Sequence, residues 1–267
     1  MMHPYQIELT TRCNFSCWYC AGRAMPQQDM TWDTFVQIID RIPKGSTVML
    51  QGEGEPTLWP HWWQGVELVR SRGLLPYSII NGSRIDVFRT ALLFPRIGVS
   101  IDTLNAKESE QIGRHNLKKV LENVEQLARA MPNRVTIHIV RAQTGIEDVI
   151  RWAIERELNY CVQPLQHKED YEVVYPMWMR ARPGPAEQAA DRYECKYLSG
   201  STHFYDVEGR DLPCCYIKRN ADTFDRDAAR QQMQSGVVPS HCTGCRQLTK
   251  VNNGNQASTN GPSYQNA

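Results

Sequence analysis

Cys13, Cys17 and Cys20 lie at C-x3-C-x2-C spacing, directly after the apolar-alternating run Tyr5-Gln6-Ile7-Glu8-Leu9. Three thiolates so close in sequence can fold around one face of an iron–sulfur cubane. Such clusters are normally held by four cysteine thiolates, so three leave one iron open to another ligand. A structural zinc knuckle is the alternative. Zinc sites pair C-x2-C with further Cys or His ligands and close four-coordinate, and no fourth Cys or His lies near this loop. A second group, Cys195, Cys214, Cys215, Cys242 and Cys245, occupies a stretch with weak helical signal. Cys161 opens an apolar strand and reads as a small hydrophobe. His138 alternates with Ile137 and Ile139 and reads as a satisfied strand histidine.

The first spacing, with Thr-Thr-Arg-Cys-Asn at residues 10–14, resembles the radical S-adenosylmethionine (radical SAM) enzymes. The resemblance implies that the open iron chelates the amino and carboxylate groups of S-adenosyl-L-methionine (SAM). Reductive cleavage of SAM then yields a 5′-deoxyadenosyl radical that takes hydrogen from a substrate. Gly54-Glu55-Pro56 resembles the family's Gly-Gly-Glu-Pro turn at the SAM amino group, with Glu53 in place of its first glycine. That chemistry asks for a backbone able to approach the ligand and an acceptor facing an amine. Asn81-Gly82 resembles the family's Asn-Gly turn, and Ser100 and Asp102 resemble polar residues that meet the ribose or carboxylate of SAM. Arg114 is placed to pair with that carboxylate bidentately, and Tyr19 matches the aromatic position near the adenine. Further on, Cys195-x18-Cys214 with Cys242-x2-Cys245, and Gly209-x3-Pro213-Cys214, resemble the Twitch form of the SPASM domain, which holds one auxiliary [4Fe–4S] cluster. Cys215 is expected to stay unligated, because successive strand residues point to opposite faces. A zinc site on the same four cysteines is the alternative.

These residues need a scaffold, and the periodicity supplies one. Met30–Ile42 sets Trp32, Phe35, Ile38, Ile39 and Ile42 at helical spacing, stopped by Pro43 and Gly45. Thr47–Leu50 and Tyr77–Ile80 read as strands, Trp62–Arg72 and Asp86–Phe94 as helices. Ile97–Ile101, Leu117–Met131, Val135–Val140, Ile146–Leu158 and Tyr160–Leu165 carry the alternation to a sixth strand. Repeated strand–helix units with short connections read as an α/β fold around a parallel sheet. The polar motifs follow the strands, at the edge where barrel-like folds build active sites. The resemblance specifies an open (β/α)6 partial barrel over residues 1–167. After a linker, 168–194, comes a β-hairpin/helix auxiliary domain, 195–251, whose hairpin turns at Glu208-Gly209; residues 252–267 read as a disordered tail. Tyr171, Tyr175, Trp178, Arg180 and Arg182 are candidates for the substrate mouth.

With 30 Lys+Arg against 29 Asp+Glu among 267 residues, there is no global electrostatic case for nucleic acid. No apolar run approaches the ~18 residues that span a bilayer, and the N-terminus is no secretory signal. Nine cysteines without an export signal suit metal ligation in a reducing cytoplasm. The resemblance implies a small molecule, a nucleotide or base, or a peptide as substrate, and an electron donor such as flavodoxin or ferredoxin. A first strand at about Tyr5 leaves no room for a leader-binding domain, so a peptide maturase would act with a separate leader-binding partner. A non-catalytic iron–sulfur electron carrier is the reading of a different class.

Overall fold

The computed structural model describes residues 5–142, 145–180, 192–200, 202–218 and 221–251. The expected tail and Arg182 lie outside them. Its first half alternates strands and helices: β1 (Tyr5–Ile7), α1 (Trp32–Ile39), β2 (Thr47–Leu50), α2 (Trp62–Ser71), β3 (Leu75–Tyr77), β4 (Ile79–Ile80), α3 (Val87–Leu93) and β5 (Ile97–Ser100). Then come α4 (Ala106–Ile112), α5 (Leu117–Ala130), β6 (Val135–Arg141), α6 (Ile146–Glu155) and β7 (Asn159–Pro164). The C-terminal part holds α7 (Glu169–Glu172), β8 (Arg192–Cys195), α8 (Lys196–Ser199), β9 (His203–Tyr205), β10 (Asp211–Leu212), α9 (Arg226–Gln234) and β11 (Leu248–Val251).

Every neighbouring pair among β1, β2 and β3, and again among β4, β5, β6 and β7, is parallel and in chain order. That is the winding of a partial barrel. The third strand was expected to be continuous over Tyr77–Ile80. It breaks at Ser78, whose hydroxyl donates to the Leu50 carbonyl at 2.6 Å while Gly98 N–H takes the Ser78 carbonyl at 2.8 Å. Alternation sorts the two faces of the sheet. Ile7, Leu9, Val48, Leu50, Val99, Ile101, Ile137 and Ile139, none more than 1% exposed, join one core with Val66 and Val69 of α2, Val120, Val124 and Leu127 of α5, and Val149 of α6. Each such side chain contributes about 1.5–3 kcal/mol on burial.

α4 had no counterpart in the sequence reading. It is short, but well bounded: Asn105 accepts from Lys107 and Glu108 N–H, and Gly113 ends the helix at φ +95°. The C-terminal segment is less separate than a domain boundary at 195 suggests. Its hairpin β9–β10 forms as expected, with Gly209 at φ +81° in the turn, but β9 pairs in parallel with β1 and so extends the barrel sheet. β8 and β11 form a separate antiparallel pair that brings Cys195 opposite Leu248.

Candidate functional site

The cysteine loop leaves the C-terminal end of β1 and is held down by backbone. Ser16 N–H donates to Gly113 O at 2.8 Å and Trp18 N–H to Ile112 O at 3.0 Å, fastening the loop to the end of α4. Only glycine allows that approach, since a Cβ on residue 113 would lie 2.4 Å from Ser16 O. From between the second and third cysteines, the Tyr19 hydroxyl donates to Asp102. Arg114 closes the group: Nε reaches Asp102 Oδ2 at 2.8 Å, Nη2 reaches Tyr19 Oη at 2.8 Å, and Nη1 reaches Ser100 O at 3.2 Å. The second Asp102 oxygen accepts Val140 N–H at 2.8 Å.

Tyr19, Ser100, Asp102 and Arg114 are therefore brought together, but around one another. The Arg114 fork, expected to meet a ligand carboxylate, faces a protein carboxylate. Burial lifts the Tyr19 phenol well above its ordinary range. For Arg114, burial opposes the charge, yet Asp102 and Tyr19 hold its pKa well above the usual guanidinium value. With side chains 1% and 12% exposed, Asp102 and Arg114 form a buried pair, and removing one partner strands the other's charge. Asp102→Ala should cost about 3–5 kcal/mol in urea unfolding of the metal-free protein, with part regained in Asp102→Ala/Arg114→Met. A loss below about 1 kcal/mol, the range of exposed pairs, would refute the clamp.

A second group ties the same loop to the turns after β2 and β4. Glu55, 2% exposed, accepts from Thr57 Oγ1 at 2.6 Å and from Asn81 N–H at 2.7 Å. The Asn81 amide donates to Asn14 Oδ1 at 2.8 Å. Gly54 was expected to let backbone approach a ligand. Its missing Cβ instead faces the chain, since one there would lie 2.2 Å from Thr10 O. The glycine is required for the turn to pack on the strand leading into the cysteines.

Sequence reasoning missed a buried charge network beside Cys20. Glu53 Oε2 lies 3.3 Å from Cys20 Sγ, and Glu53 Oε1 accepts from Tyr171 Oη at 2.9 Å and pairs with Lys218 Nζ at 3.3 Å. Glu8 Oε1, 4.0 Å from Lys218, accepts Glu53 N–H at 2.6 Å. The available signals were a glutamate within an apolar β1 run and Glu53 where the resembled motif has glycine. Tyr171 and Tyr175, expected at a substrate mouth, are buried, whereas Trp178 is exposed. On the sheet face opposite the core, His138 Nε2 meets Tyr77 Oη at 2.8 Å. Among the described residues, His138 Nδ1 and Gln51 Oε1 are buried and have no hydrogen-bond partner. Burial lowers the His138 pKa to about 4, so the ring is neutral at pH 7.

In the C-terminal part, the turn holding Cys214 and Cys215 lies just beyond β10, not within a strand as expected. Cys242 and Cys245 each feel the charges of Cys214 and Cys195; Cys215 feels Cys214 and Cys245 too, but also Lys218 and Glu53, which belong to the network beside Cys20. Burial pushes Cys242 up to about 12, with Lys168 opposing it. Burial likewise raises Cys17, and Cys20 well above a free thiol.

Tetrahedral zinc with Zn–S near 2.3 Å needs sulfurs only about 3.8 Å apart. Among the described residues no three Cys, His, Asp or Glu side chains close up around a single ion. Within each group the thiols sense one another electrostatically. Each group offers only sulfur donors, the ligands that iron–sulfur clusters take.

Residues 7–153 match the model of the Radical SAM superfamily. An S-adenosylmethionine-dependent nucleotide dehydratase from Thermoplasmatales archaeon (strain ISO4-H5) is 30% identical over 126 residues, 46% of this chain and 45% of the relative. A GTP 3′,8-cyclase from Pseudomonas fluorescens (strain Pf0-1) is 26% identical over 172 residues, 58% of this chain and 51% of the relative. The chain thus spans about half the length of the curated relatives it matches. Among solved structures, Streptococcus suis SuiB bound to S-adenosylmethionine superposes with TM-score 0.63 at 14% identity, covering 88% of this chain and 68% of SuiB. That likeness is one of fold. No helix among the described residues is long and apolar enough to cross a membrane.

Proposed function

The chain belongs to the Radical SAM superfamily, and from that premise we propose that it is an enzyme using SAM at a [4Fe–4S] cluster held by Cys13, Cys17 and Cys20. The observation that carries the reading is the cysteine loop itself: three thiols on a loop clamped at Tyr19, at the C-terminal edge of a parallel barrel. When bound, the cluster and SAM supply a reductive cleavage whose 5′-deoxyadenosyl radical takes a hydrogen atom from the substrate.

The chain's own residues position and protect that chemistry. Tyr19, Asp102 and Arg114 preorganise the loop, while Glu55 and Asn81 hold its Asn14 side. Toward SAM, their role would be to hold in place the loop that carries the cluster ligands. Because burial keeps Cys17 and Cys20 protonated at neutral pH, loading metal must displace their protons. His138 Nδ1 and Gln51 Oε1, without a hydrogen-bond partner among the described residues, are two polar groups a substrate could engage. Relatives named for nucleotide and GTP chemistry favour a nucleotide as the substrate class. Cys195, Cys214, Cys242 and Cys245 would hold a second [4Fe–4S] cluster in a Twitch/SPASM-like segment, and a flavodoxin or ferredoxin would deliver electrons.

The test is anaerobic incubation of the reconstituted chain with dithionite and SAM, with and without each nucleoside triphosphate. We expect 5′-deoxyadenosine in every case and an increase with a nucleotide substrate. Iron-loaded protein that forms none would leave the electron-carrier reading standing.

A further inference from the structure

We infer that the Lys168 ammonium is a fixed counter-charge within the C-terminal thiol site, raising the reduction potential of the cluster that site holds. The inference rests on the proposed second cluster. Lys168 is 2% exposed, and the surrounding chain leaves it little freedom. Its Nζ donates to Tyr216 O at 2.5 Å, one residue past the Cys214–Cys215 pair. Its backbone is pressed against the other pair of thiols. His167 N–H donates to Gly244 O at 3.2 Å, between Cys242 and Cys245, and a Cβ on residue 244 would lie 2.1 Å from His167 O. Arg246 N–H bonds Gln166 Oε1 at 3.1 Å on the same segment. One buried lysine thus joins the turn after Cys214 to the Cys242–Cys245 loop.

Its electrostatic reach agrees with that placement. The Lys168 charge acts on Cys214, Cys242 and Cys245 alike. Asp170, 3.7 Å from Nζ, offsets part of the charge. Lys218, a second nearby ammonium, acts on Cys214 and Cys215 but is engaged by Glu53 and Glu8. A four-thiolate [4Fe–4S] centre becomes one unit more negative when it accepts an electron. A buried cation stabilises the more negative state more strongly, because the Coulomb energy scales with the product of the charges and is little screened inside the protein. Net charge near a cluster is one of the levers on its potential. A lysine serving only to bond Tyr216 O would leave the potential unmoved.

The experiment is a dithionite titration followed by electron paramagnetic resonance on the full chain carrying Cys13, Cys17 and Cys20→Ala, so that one cluster contributes. In Lys168→Met the reduced-to-oxidised ratio at a fixed potential should fall about tenfold, about 59 mV for a one-electron couple. Lys168→Arg should recover most of that loss, and Asp170→Asn should shift the ratio the opposite way. Full iron content with an unchanged midpoint in Lys168→Met overturns the inference. Should Lys168→Met fail to hold iron, Asp170→Asn decides: a raised midpoint supports the counter-charge and an unmoved one overturns it. Zinc, or no iron, in the parent background would instead remove the second cluster, and the inference with it.

Discussion

Cys13, Cys17 and Cys20 replaced together by alanine should leave a folded protein that forms no 5′-deoxyadenosine and keeps about half its iron. Two four-iron clusters make about eight irons per chain in the wild type, so about four should remain. The fold should survive because the thiols do little to hold their loop. The Ser16 and Trp18 backbone bonds to Gly113 and Ile112, and the Tyr19–Asp102–Arg114 group, need no sulfur. Cys17 shares a side-chain hydrogen bond with Tyr19 and Cys20 lies 3.3 Å from Glu53, but neither contact fastens the loop to another element as the backbone bonds do. Activity should nevertheless be lost entirely, since side chains that merely assist cannot replace a missing metal ligand. Iron and sulfide analysis, with chromatography of the nucleoside product, reads both quantities. Persisting SAM cleavage would remove the assignment of these cysteines. Complete loss of iron would mean that the C-terminal cysteines hold no second cluster.

Alanine at Cys214 and at Cys215 should have opposite consequences although the residues are adjacent. Cys214→Ala is expected to lose about four of about eight irons, and Cys215→Ala almost none. Cys214, 7% exposed, feels Cys195 and is felt by Cys242 and Cys245. Cys215 also feels Cys214 and Cys245, but it is tied in addition to Lys218 and Glu53, the carboxylate beside Cys20. Burial raises its pKa well above a free thiol, and the charge of Cys214 adds to that rise. Iron counts with each single variant check the pair, and the reverse pattern would exchange the two roles.

Much of this protein was legible in its sequence, and for a physical reason. Strand–helix alternation is a local property: α5 follows from Val120, Val124 and Leu127 recurring at helical spacing, and β2 from an apolar run beside a turn. Close cysteine spacing is local too, so the loop and its chemistry could be read before any contact was known. α4 escaped because its signal is a cap at each end and not an apolar stripe. The break at Ser78 escaped because it depends on a carbonyl 28 residues away.

The roles of the charged residues were decided by tertiary structure alone. Tyr19 and Arg114 stand 95 residues apart, Tyr171 and Glu53 118, Lys168 and Tyr216 48. Arg114 reads in sequence as free to bind a ligand, and becomes a clamp only when folding sets it beside Asp102. Glu53 looks like a departure from a glycine motif until Lys218 and Tyr171 arrive from the far end of the chain. Sequence determined most of the elements and where the thiols cluster, because periodicity and spacing act over a few residues. Folding decided what each charge is for, because a buried charge takes its role from whichever partner the chain brings to within a few ångströms.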